Sequence, residues 1–123
     1  MKHLLVAVHG SRRESSNDEL RLLGAKVSAS VGVAFDGVKV AFLEFVSASV
    51  EAAWVDFFNS GATEVVLLPY FLSAGNHVVI DIPREINKVV DQWPDKHLKV
   101  LPHFGALDEM ANFIAQACKN DNN

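Results

Sequence analysis

The sequence predicts an α/β fold, one domain with a four-stranded parallel sheet flanked by helices. Three observations carry that expectation. Strand-like and helix-like hydrophobic periodicities alternate four times along the chain. One strand segment, TEVVLLPY at 63–70, is almost unbroken apolar, as in a strand buried on both faces. The length of 123 residues, half of them hydrophobic, suits one core.

Taken in order, HLLVAV (3–8) is the first strand. The helix after it is expected to start at SNDE (16–19), with Ser16 and Glu19 as a capping box. Its apolar face runs Leu20, Leu23, Val27 and Val31, and Gly32 closes it. GVKVAFLEF (37–45) is the second strand. Val50, Ala53, Trp54, Phe57 and Phe58 then fall at helical spacing until NSG at 59–61 stops them. After the third strand, a helix starting near DIP (81–83) carries Ile82, Ile86, Val89, Val90 and Trp93. HLKVLP (97–102) is the fourth strand, and Met110, Phe113, Ile114 and Ala117 stripe the last helix. The order β-α-β-α-β-α-β-α implies parallel strands joined by right-handed crossovers. The expected boundaries are one domain over 1–119 and a polar tail over 120–123.

The net charge of −4 lacks the basic excess that tracking a phosphate backbone requires, so no nucleic-acid partner is expected. No apolar run is long enough to span a membrane, and the apolar start is too short for a secretory signal. A cytoplasmic location is expected. Cys118 is the single cysteine, which excludes an internal disulfide and a cysteine metal cluster. Its place near the end of the last helix reads as a small apolar residue and not as a nucleophile.

Ligands of open parallel sheets bind beyond the carboxyl ends of the strands. Strand one delivers His9 there, strand two Glu44, strand three the loop holding His77, and strand four His103. His3 and His97 sit at strand beginnings, on the opposite edge. Each residue alone has an ordinary explanation: a histidine capping a carbonyl, a carboxylate on a solvated rim, an exposed loop imidazole. Together they make a candidate site. Serine hydrolysis through HGS would need a Gly-x-Ser-x-Gly elbow, and none occurs. A histidine phosphatase would need Arg where Val8 stands, and HGSRR is too poor in glycine for a mononucleotide loop. A divalent transition metal held by imidazole, with carboxylate help, remains. The histidines are too far apart in sequence for any spacing motif to certify zinc.

VAVHGSR at the N-terminus, FLE at 42–44 and LPYFLSAGNHVVIDIP at 68–83 together resemble the small class II chelatases, a family of short sirohydrochlorin cobaltochelatases with nickel- and iron-inserting relatives. The resemblance implies a single chelatase-like half, in a flavodoxin-like arrangement, that pairs as a homodimer. It implies ATP-independent insertion of a divalent metal into sirohydrochlorin, in cobalamin or sirohaem biosynthesis. Co²⁺ would be the metal, alternatively Ni²⁺ or Fe²⁺, entering as substrate, with no tightly bound cofactor. The family's two metal-site histidines match His9 and His77, which are assigned both metal binding and proton transfer, with Glu44 as helper. Against a carboxylate-rich tetrapyrrole, Arg12, Arg13 and Arg84 are the candidate substrate-binding cations, with Ser11 as a further contact. Relatives commonly carry charge where this chain has Val79 and Ile80, which keeps a second reading open: a metal or tetrapyrrole carrier that retains the site without turnover. A small hydrolase using HGS ranks third.

Overall fold

The computed structural model describes residues 1–121, so the last two positions of the expected 120–123 tail lie outside the described residues. Four strands form one sheet: β1 (Lys2–Val8), β2 (Gly37–Phe42), β3 (Glu64–Pro69) and β4 (His97–Val100). All pairings are parallel and the order across the sheet is β2-β1-β3-β4. Four helices alternate with them: α1 (Glu14–Val31), α2 (Val50–Asn59), α3 (Ile82–Val90) and α4 (Asp108–Lys119). The α/β expectation is met.

Side chains alternate across a strand, and β1 sorts them into two cores. Leu5 and Ala7 join Ala41, Val65 and Leu67 under α2 and α3, where Trp54, Phe57 and Phe58 are buried. Leu4, Val6 and Val8 join Phe42 and Val66 on the other face, under Leu20 and Val27 of α1. The apolar stripe of α2 is therefore entirely interior. That of α4 is not. No residue of α4 is buried, Phe113 and Ile114 are 67% and 53% exposed, and an apolar groove of about 360 Å³ runs between α1 and α4.

Several element boundaries differ from expectation. No Ser16–Glu19 capping box forms, because α1 begins at Glu14 with Arg13 in the cap position and no side-chain cap. The loop ahead of α1 is tied instead by Asn17, which is fully buried. Its Oδ1 accepts from the Ser11 N–H at 2.9 Å, and its Nδ2 donates to the Ser11 carbonyl at 2.8 Å and to Glu14 Oε2 at 3.2 Å. β2 stops at Phe42, not residue 45, since Phe42 turns its N–H to Ala48 and Phe45 takes a φ of 68°. β3 loses one residue at each end, and β4 ends at Val100 ahead of Pro102, which has no N–H to donate. The third helical segment starts earlier than DIP, with a π turn over His77–Asp81 that runs directly into α3.

Candidate functional site

In the order β2-β1-β3-β4 the chain leaves β1 toward one neighbour and returns past it to reach the other. The loops after β1 and β3 therefore diverge and open a crevice at this switch point. His9 follows β1 directly, and His77 opens the π turn after β3. The structure brings them together: their ring centroids are 4.2 Å apart, tilted by 42°.

Each ring has a carboxylate. His9 Nε2 lies 3.2 Å from Glu44 Oε2, and both side chains are partly exposed. Backbone pairing sets this contact, because the Glu44 N–H donates to the His9 carbonyl at 2.9 Å and so prolongs the β1–β2 ladder past the strand ends. Gly10 permits the approach. Its φ is 92°, and a Cβ there would collide with the Glu44 carbonyl oxygen. His77 Nδ1 is 2.7 Å from Asp81 Oδ2. Phe71 stacks on the His77 ring at 5.6 Å, and Phe45 meets His9 edge-on at 5.9 Å.

The remaining sequence candidates are more scattered. Arg12 is exposed and lies over the Phe45 ring, 5.2 Å from its centroid, which puts it on the rim beside His9. Arg13 turns back along α1, where its Nε donates to Ser15 Oγ at 3.0 Å. The hydroxyl of Ser11 accepts from the Arg13 N–H at 3.0 Å, a local turn contact. Arg84 reaches Asp81 Oδ1 at 3.8 Å from the first turn of α3. His103 precedes a 3₁₀ turn (Phe104–Ala106), and among the described residues no hydrogen bond or ring contact joins it to His9 or His77. Cys118 is exposed on α4.

The residue reading missed Asp81 and Asn17. Asp81 had a signal: His-x-x-x-Asp spacing puts two side chains on one face of a helical turn. Asn17 had none, since its partners are backbone groups of a loop whose path the sequence does not reveal. Among the described residues no set of three His, Cys, Asp or Glu side chains is arranged to hold a metal ion. The crevice therefore offers an open pair of imidazoles, not a closed cage.

Comparisons with known proteins agree with the fold. The CbiX family model matches residues 3–121. A sirohydrochlorin ferrochelatase of Priestia megaterium is 25% identical over 99% of this chain and 45% of its own length. A sirohydrochlorin cobaltochelatase of Methanococcus maripaludis is 31% identical over 68% of this chain and 57% of its own. The chain thus spans about half the length of these curated relatives. Among solved structures, the sirohydrochlorin chelatase SirB of Bacillus subtilis subspecies spizizenii, in complex with cobalt, superposes with a TM-score of 0.82 at 23% identity, over 96% of this chain and 50% of that one. A CbiX protein of Marinobacter aquaeolei VT8 superposes with a TM-score of 0.81 at 18% identity and covers both chains almost fully, 97% and 95%. At these identities the superpositions speak for the fold alone.

Proposed function

The chain belongs to the CbiX family, and from that premise we propose that it inserts a divalent metal, Co²⁺ in the first place, into sirohydrochlorin without ATP. The observation that carries the reading is the meeting of His9 and His77, 4.2 Å apart at the switch point, each beside a carboxylate. Metallation exchanges two pyrrole N–H protons for one divalent cation. A neutral imidazole can supply a lone pair to the metal or accept a proton, and two adjacent rings allow both in one crevice. Glu44, 3.2 Å from His9, receives the proton or draws in the cation. An open site suits a metal that is cargo: it leaves coordination positions for the macrocycle and does not compete with it.

A tetrapyrrole is a broad disc, and one half-length chain provides one wall. The reading therefore includes a two-fold homodimer with both crevices on a common cleft. Leu72, Val79 and Ile80, exposed by 72%, 62% and 46%, are the apolar surface available for that contact. The same two residues of the π turn support the second reading, a carrier, since they put apolar groups where charge would meet the substrate's carboxylates. One experiment separates the two. Anaerobic incubation with sirohydrochlorin and Co²⁺, Ni²⁺ or Fe²⁺ in turn, followed by absorbance, gives continuing turnover for a chelatase. A carrier stops at one equivalent per site. No spectral change with any metal would refute both.

A further inference from the structure

We infer that Asp81 is a positioning residue, which holds His77 in the Nδ1–H tautomer and leaves Nε2 as the nitrogen with a free lone pair. The inference deepens the chelatase reading and rests on it for its biological meaning, but the hydrogen bond stands by itself. An ionised carboxylate can only accept, so the 2.7 Å contact between Asp81 Oδ2 and His77 Nδ1 requires the proton on Nδ1. The distance is that of a charge-assisted bond.

The local backbone directs this carboxylate to the ring. Asp81 stands where the π turn passes into α3, with helical φ and ψ of −70° and −43°. An aspartate at a helix start ordinarily caps backbone N–H groups. Asp81 makes no cap bond: Oδ2 goes to His77, and Oδ1 lies 3.8 Å from Arg84. The π turn closes through the Ile82 N–H to the His77 carbonyl. Such single wide turns occur frequently at functional sites. Phe71 stacks on the ring at 5.6 Å and 23°, so the imidazole is restrained by packing as well as by the bond.

The two rings are thus held differently. His9 turns Nε2 toward its carboxylate, and His77 turns Nδ1 toward its own. A carboxylate behind a metal-binding histidine fixes ring orientation and raises basicity, and its loss typically lowers metal affinity about 10- to 100-fold. Asn at position 81 keeps the volume but is no longer an obligatory acceptor, because its amide can also donate to Nδ1.

The test uses ¹⁵N-labelled, metal-free protein at a pH where imidazole is neutral. Long-range ¹H–¹⁵N spectra report the tautomer of His77, assigned by comparison with His77→Gln. Wild type is expected to show Nδ1–H, and Asp81→Asn and Asp81→Ala to lose that preference. Co²⁺ titration without tetrapyrrole, followed by absorbance, is expected to show binding about 10- to 100-fold weaker in both variants. Persistence of the Nδ1–H form in Asp81→Ala, or unchanged Co²⁺ affinity, overturns the inference. A wild-type protein that inserts no metal, while Asp81→Asn still loses the tautomer, refutes the chelatase proposal and leaves the positioning role intact.

Discussion

Replacing Asn17 with Ala tests whether the loop carrying His9 is held by backbone tethering. Asn17 is completely buried and makes three hydrogen bonds, two to the backbone of Ser11 and one to Glu14. Each such bond contributes on the order of 1 kcal/mol net, so the loss of all three costs about 2–4 kcal/mol. That is a large part of the roughly 5–15 kcal/mol that holds a domain together. At roughly 4 °C per kcal/mol for a chain of this size, melting falls by about 8–16 °C. Ser11→Ala is the control. It removes an exposed hydroxyl whose one local partner is the Arg13 N–H, and it costs less than about 1 kcal/mol. Urea unfolding of both variants measures the difference, and Co²⁺ titration of the folded proteins reads the site. Equal destabilisation by the two substitutions, or an Asn17→Ala protein within about 0.5 kcal/mol of wild type, would show that the loop is held by other means.

Three further predictions follow from the same geometry. His9→Ala and His77→Ala each abolish metal insertion with the fold intact, and Glu44→Gln only slows it; near-wild-type turnover in either histidine variant refutes the mechanism. Burial pushes the imidazole of His3 below its ordinary value of 6.5, opposed in part by Asp36. The unfolded chain then binds a proton that folded His3 refuses, so stability falls as pH drops below about 6.5 and levels off once folded His3 titrates. His3→Leu should make that part of the slope disappear in urea midpoints measured from about pH 8 to pH 5, and an unchanged slope excludes His3 as its source. Val79→Glu should shift the solution mass to that of a monomer and lower turnover, whereas a wild-type monomer that inserts metal at full rate removes the need for a second wall.

The elements were legible where one force decided them. α2 is an example: Val50, Ala53, Trp54, Phe57 and Phe58 repeat at helical spacing, and all five are buried. The stripe of α4 has the same periodicity yet stays exposed, because periodicity reports a helix with an apolar face and says nothing of what covers it. The start of α1 was misplaced since a capping-box pattern competes with a tertiary contact, and the buried Asn17 amide prevailed by satisfying Ser11. His9, Glu44 and His77 were legible as residues following strands. The His-x-x-x-Asp spacing marks the pairing of His77 with Asp81, but the π turn that carries it is not legible, since a single extra residue per turn leaves too faint a mark on hydrophobic spacing.

Strand order explains why two histidines far apart in sequence share one crevice. Were β3 to follow β2 on the same side, His77 would stand two strands from His9. Placing β1 between β2 and β3 makes the ends of β1 and β3 neighbours, with Ala7 opposite Pro69, and makes Glu44 the neighbour on the other side, with Val8 opposite Phe42. β1 is therefore central to the site as well as to the sheet. Its end meets a carboxylate from one flank and an imidazole from the other, and Gly10 is the point where the Glu44 backbone closes in. Substitutions there should strain the backbone and disturb the site together. A Cβ at Gly10 meets the Glu44 carbonyl first and the buried Phe42 ring next, so the distance it changes first is the one between His9 and Glu44.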